Sequence, residues 1–273
     1  MKTIRLNHPR AMLLAAVAAG LLAAAGLVVV LYAQPAEANY PGTNGKIAYS
    51  GGNGNNLEIY TISPNGGSNV KVTNNQSGNN AAPAYSPNAK KIAYAGWDGN
   101  DWEIYTVNTN GGGRKNVTNN NFDEENPAYS PSGKRIAYSG KDGNDWDIYT
   151  INPNGGSRKN VTNNNSSDDE DPDYSPDGKK IAYSLYPATG DSEIYTINPN
   201  GGSRKNVTNN NSDDYRPSYS PDGKKIAYIY DPATGDPEIY YINTNGGGRK
   251  QVTSNNTKNY DPYWGCKGGC GRG

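Results

Sequence analysis

Five near-copies of one unit follow one another in this chain after its first 38 residues. Ile-Ala-Tyr begins at Ile47, Ile92, Ile136, Ile181 and Ile226. Ile-Tyr recurs at Ile59, Ile104, Ile148, Ile194 and Ile239, and Val-Thr at Val72, Val117, Val161, Val207 and Val252. Tyr-Ser-Pro recurs at Tyr85, Tyr129, Tyr174 and Tyr219, with Tyr263-Trp264-Gly265 standing where a fifth would fall. Residues 148–166 and 194–212 are identical. Such self-similarity restricts the fold more than any single motif does. Every copy has to adopt one structure and bury its apolar face against its neighbours.

Each copy reads as four short strands. Around residue 180, Asp173-Tyr174-Ser175 is the first, and Pro176-Asp177-Gly178 turns it. Pro presets φ at the first corner and Gly accepts positive φ. Lys180 to Ser184 is the second strand, and a polar loop leads to Glu193–Ile197, the third. Pro199-Asn200-Gly201-Gly202 turns again, into Arg204–Thr208. Composition agrees: beyond residue 38 the only leucines are Leu57 and Leu185. Ile, Val, Tyr and Thr take their place and favour strands. Four strands in a period of about 40–50 residues are the mark of a propeller blade. In Lys46–Ser50, Ile47 and Tyr49 face one way and Ala48 the other. A bulky face can therefore nest against a small one.

Tyr-Ser-Pro-Asp-Gly-Lys-Lys-Ile-Ala-Tyr, then Ile-Tyr-Thr-Ile-Asn-Pro-Asn-Gly-Gly, then Val-Thr, resembles the WD40-like repeat of the TolB-type β-propellers. That family usually has Trp or Phe where this chain has Tyr. The resemblance covers about residues 40–264 and implies a β-propeller; it implies no single function, since such propellers serve many roles. Relatives often have six or more blades, whereas the strand count here gives five. The expected fold is all-β: a five-bladed β-propeller of four-stranded antiparallel blades, closed by the C-terminal strand 260–264 joining the first blade. The propeller occupies 39–264, with blades at about 46–73 plus 260–264, 83–118, 127–162, 172–208 and 217–253.

The N-terminal segment reads as an address. Lys2, Arg5 and Arg10 precede an uncharged run from Ala11 to Tyr32, and Ala36-Glu37-Ala38 follows. Residues 1–38 are a secretory signal cleaved after Ala38 or, because 11–32 is long enough to span a bilayer, an N-terminal membrane anchor helix. Both place the propeller outside the cytoplasm, in the periplasm, at the cell surface or secreted. In the Gly/Cys-rich tail 265–273, Cys266 and Cys270 read as a disulfide, within the chain or between chains.

Function has to come from loops. Fourth-to-first and second-to-third connections share one rim of a propeller, and the two hairpins of each blade share the other. The hairpin rim collects lysines and arginines. The opposite rim collects Asp123, Glu124, Glu125, Asp168, Asp169, Glu170, Asp171, Asp213 and Asp214, with Trp97, Trp102, Trp146, Tyr186 and Tyr230 in or beside its loops. Aromatic faces on a rigid scaffold suit sugar rings or protein hot spots. These residues are the candidate partner-binding set. A polarised body also steers a charged partner.

No cofactor and no metal site is assigned. Asp98-Gly99-Asn100-Asp101 and Asp142-Gly143-Asn144-Asp145 offer oxygens that suit Ca²⁺, but they lack the later spacing of a calcium loop. The only histidine is His8, so the propeller has no Ser-His-Asp or Cys-His arrangement. Lys plus Arg equals Asp plus Glu at 26 each, which argues against a nucleic-acid binder. The chain is expected to be a monomeric, exported, non-catalytic binding or scaffold module for an envelope or extracellular protein or a glycan. Contact with a membrane comes only through the N-terminal segment if it stays uncleaved. The alternatives are a hydrolase or lyase acting on polysaccharide, and a purely structural envelope repeat protein.

Overall fold

The computed structural model describes residues 45–264 except 53–55, 68, 76–77, 144, 165, 256 and 260. The N-terminal segment 1–38 and the tail with Cys266 and Cys270 lie outside the described residues. Five antiparallel sheets follow one another along the chain. The first contains β1 (Ile47–Gly52), β2 (Leu57–Ile62) and β3 (Val70–Lys71). The second contains β4 (Asn80–Tyr85), β5 (Lys91–Trp97), β6 (Trp102–Asn108) and β7 (Lys115–Asn116). The third contains β8 (Glu124–Tyr129), β9 (Ile136–Asp142), β10 (Asp145–Ile151) and β11 (Lys159–Asn160). The fourth contains β12 (Ser167–Tyr174), β13 (Ile181–Pro187), β14 (Glu193–Ile197) and β15 (Lys205–Asn206). The fifth contains β16 (Asp213–Tyr219), β17 (Lys225–Asp231), β18 (Glu238–Asn243) and β19 (Lys250–Gln251). Each sheet is an up-and-down meander, and the molecule is a five-bladed β-propeller.

The core is a set of junctions between blades. Ala93, Ala95, Ile104 and Val117 of the second blade pack against Tyr129, Ile136, Tyr138 and Tyr149 of the third. The same small-on-bulky pairing recurs from the first blade to the second, the third to the fourth and the fourth to the fifth. Within each blade the two tyrosines on the bulky face lie against each other, as Tyr94 and Tyr105 do at 5.6 Å. Gly96 makes room for this pair, because a Cβ there would come within 2.9 Å of the Tyr105 ring. The hairpin turns are built as expected. Gly178 sits at φ +70, its N–H bonds to Ser175 O at 2.8 Å, and Ser175 Oγ donates to Asp177 at 2.7 Å.

The innermost strands begin earlier than expected. β12 starts at Ser167 and takes in Asp168, Asp169, Glu170 and Asp171, which the sequence places in a loop. The cause is a β-bulge. The ladder shifts between Glu170 and Asp173, with Asp171 at φ +55 just before Pro172. A bulge breaks the alternation of faces and hides a strand from a period-two pattern. It recurs at Ala82, Asn126 and Arg216, each followed by proline, and Asp261 before Pro262 has the same positive φ.

The first sheet has three strands among the described residues. Residues 261–264, expected to complete it, have no ladder pairing with β1 among the described residues. They lie against the fifth blade: Arg216 pairs with Asp261, Trp264 N–H reaches Ser218 Oγ at 3.5 Å, and the Trp264 ring is 6.2 Å from Tyr241. The two faces at this seam stay uncovered. Val252 is 58% exposed where Val207 is 2%, and Ile47 is 38% exposed where Ile92 is fully buried.

Candidate functional site

At every junction one side-chain network fastens the blades on the rim that the sequence marks as acidic. An acid opens the third strand, and the Thr after the fourth strand donates to it. Thr162 Oγ donates to Asp147 at 2.8 Å, and the same oxygen accepts the Ile148 N–H at 3.0 Å. Thr73 with Glu58, Thr118 with Glu103, Thr208 with Glu193 and Thr253 with Glu238 repeat the arrangement. An Asn two residues on donates its backbone N–H to the same acid; Asn75 reaches Glu58 at 2.8 Å.

The next innermost strand supplies one more group at this point, Asn80, Glu124, Asp169 and Asp214 in turn, and after the fifth blade Asn259 takes the same place outside any strand. The two asparagines donate directly, Asn80 Nδ2 to Glu58 at 2.8 Å and Asn259 Nδ2 to Glu238 at 3.0 Å. The three acids face another carboxylate instead. Burial pushes Glu124 up to about 8, Asp169 to about 7 and Asp214 to about 8. Asn120 Nδ2 donates to Glu124 Oε1 at 2.7 Å, while the buried Glu124 Oε2 and Asp214 Oδ1 receive no hydrogen bond. The raised values favour the neutral carboxyl at these three places, where Asn80 and Asn259 are neutral amides.

Much of the expected partner-binding set is therefore interior. Glu124, Asp169, Glu170 and Asp214 are buried, as are Trp146 and Tyr186. Asp123, Asp168 and Asp213 are half-buried and cap the preceding blade's third strand, accepting the N–H of Trp102, Trp146 and Ser192 at 3.1, 2.9 and 2.8 Å. Glu125, Asp171 and Tyr230 are half-buried as well. Trp97 and Trp102 remain together at a loop edge. They close β5 and open β6 as cross-strand partners, edge to face at 6.0 Å, both half-buried. The loop between them exposes Asp98, Gly99 and Asn100.

A concavity lies on the axis. The bulged segments of successive blades surround a cavity of about 100 Å³ lined by Asn126, Asp171, Asp173, Arg216, Asp261 and Tyr263 among others. Asn126 Nδ2 donates to Asp171 at 2.8 Å, and Arg216 pairs with Asp261. Burial raises Asp173 to about 7, and its carboxylate accepts the Tyr219 N–H at 2.6 Å.

Comparison with known families decides the kinship. The TolB beta propeller domain model matches residues 41–185 and 170–270, nearly all of the described chain. The chain belongs to the TolB β-propeller family. Among solved structures, it superposes on a putative TolB from Agrobacterium tumefaciens with a TM-score of 0.67 and 23% identity, over 76% of each chain. TolB from Acinetobacter baumannii gives 0.67 and 27% identity, over 80% of this chain and 54% of that one. An oligogalacturonate lyase in complex with manganese gives 0.58 and 14% identity, over 76% of this chain and 62% of that one, a likeness of fold alone. No curated protein matches the chain.

In this TolB-type propeller, Asp98, Asp101 and Glu103 bring carboxylate oxygens within 4.8 Å of one another. Glu103 is already held by Thr118 and Asn120. The sequence does not single out the fastening threonines. The signal that could have found them is co-recurrence: an acid at the head of each third strand and a Thr 15 residues later, in all five copies.

Proposed function

We propose that the chain is an exported, non-catalytic binding module that takes a protein or glycan partner on the rim of the second-to-third loops. The supporting observation is the Trp97–Trp102 pair, held edge to face as cross-strand partners where β5 ends and β6 begins. Indoles offer apolar faces with a polar edge, and a fixed scaffold lowers the ordering cost of binding. The charged start, apolar run and small-residue triplet of residues 1–38 carry the export. Among the described residues no helix is long and apolar enough to cross a membrane.

The test is a pull-down from envelope extract together with a glycan array, comparing the intact protein with Trp97→Ala plus Trp102→Ala. A signal lost in the double variant supports this rim, and an unchanged signal removes it. Trp146, buried at 4% exposure, is unsuited to the test; Trp102 also packs against the junction core, so Trp97→Ala alone is run beside the double variant, with circular dichroism to check folding. The rival hydrolase or lyase draws on the axial cavity, where Asp171, Asp173 and Asp261 gather around Arg216. Turnover on a polysaccharide panel that Asp171→Asn abolishes would put catalysis in place of binding.

A further inference from the structure

We propose that the hairpin end of the propeller binds a carboxylated polysaccharide, the cations of successive blades meeting successive acid groups of one chain. This names a partner class for the binding module above; it rests on the binding-module reading but moves the contact from the aromatic rim to the opposite end. The two hairpins of each blade meet at this end: Thr109 N–H bonds to Lys90 O, and Thr244 N–H to Lys224 O, both at 3.1 Å. From the second blade to the fifth, each blade exposes one lysine at the turn before its second strand (Lys90, Lys134, Lys179, Lys224). It exposes another at the head of its outer strand, where β7, β11, β15 and β19 begin. The acids among these turns are Asp177 and Asp222, against two lysines or more per blade; one oxygen of each is held by its own turn, and the other oxygen of Asp177 lies 3.6 Å from Lys179 Nζ. Asp177 accepts from Ser175 Oγ at 2.7 Å and from Lys179 N–H at 3.0 Å; Asp222 repeats both bonds. On the opposite rim Glu124, Asp169 and Asp214 are buried. A chain of zero formal net charge thus keeps its cations exposed at one end and hides much of the balancing charge.

The chemistry of the face separates polysaccharide from other polyanions. Its turns expose Asn110, Asn154, Asn200 and Asn245 beside the lysines, so amides that pair with hydroxyls alternate with cations that pair with carboxylates. The exposed large apolar side chains among the described residues are Ile47, Val70, Phe122 and Val252. Ile47 and Val70 open β1 and β3 at this end of the first blade; from the second blade to the fifth none stands at a hairpin tip, so those turns have little to sink into a bilayer and no exposed large ring on which a base could stack. Repetition around one end makes the contact multivalent, which turns weak pairings into useful affinity.

The probe is polygalacturonate, with neutral dextran, phosphatidylglycerol vesicles and duplex DNA as comparators. In a variant carrying Lys90→Gln, Lys134→Gln, Lys179→Gln and Lys224→Gln, affinity for polygalacturonate is expected to fall about tenfold or more at low salt. Lysine-to-arginine replacement at the same positions is expected to keep it, and binding of the intact protein is expected to weaken steeply with added salt. Circular dichroism of both variants checks folding. No binding to polygalacturonate, binding that the glutamine variant retains, or equal binding to vesicles or DNA overturns the proposal. Loss of polymer binding in the glutamine variant but not in Trp97→Ala plus Trp102→Ala keeps the basic face and removes the aromatic rim. The reverse pattern removes the basic face alone.

Discussion

A single hydroxyl does two jobs at each junction, so the threonines after the outer strands are where a one-atom change is felt most. Thr118 Oγ accepts the Ile104 N–H at 2.9 Å and donates to Glu103, which is 1% exposed. Removing it leaves a buried carboxylate and a strand N–H without their partner. Thr118→Val, which keeps the shape, is expected to lower stability by about 1–3 kcal/mol, read as a shift in the urea midpoint. Thr109→Val, at a half-buried turn residue whose backbone N–H bonds to Lys90 O, is expected to stay within about 0.5 kcal/mol. The sequence shows these threonines only as part of a recurring Val-Thr, because the acid each one holds lies 15 residues away. Trp146 shows the same limit. By type it matches a binding residue, yet the blade's own packing buries it.

At the scale of the strand, the three carboxyl pairs make the junctions sensitive to pH. Glu124, Asp169 and Asp214 are raised by burial above their ordinary range, so the fold favours their protonated forms. Glu124 faces Glu103, Asn120 and Thr118, with Arg158 at 3.9 Å. Asp214 faces Glu193, Asn210 and Thr208, with Arg249 nearby. The stability they contribute is fully present below the unfolded carboxylate range. It is lost as pH rises through about 7 to 8. Glu124→Gln and Asp214→Asn supply the amide that Asn80 already supplies at its junction. Each is expected to gain on the order of 1–2 kcal/mol over the parent at pH 9, with little change at pH 5. Urea titrations at the two values check this, and an equal effect at both would show that no proton is involved. The acids were legible in the sequence but their burial was not. The bulge before Pro127, Pro172 and Pro217 cuts the alternating pattern, and the strand reads as loop.

For the molecule as a whole, the fold was plain from the repeats. Five recurrences in register fix the number of sheets and which face meets which. The packing at the seam was not legible, since a period says nothing about how well the last copy meets the first. Val252 and Val207 occupy equivalent places with opposite exposure, 58% and 2%. Val207→Ala is expected to cost about 1–3 kcal/mol, and Val252→Ala less than about 0.5 kcal/mol. Equal losses in thermal melts would show that the seam packs like the other junctions in solution.

Near-identity between copies has a price that none of the single junctions reveals. The stretch 148–166 cannot be told from 194–212 by any strand that pairs with it, so a blade opening during folding meets correct-looking slots in its neighbours and in other molecules. Dilute refolding should give one species. Crowded refolding should give interlocked dimers, traded segment for segment, in which every local contact is native and only the chain of origin is wrong.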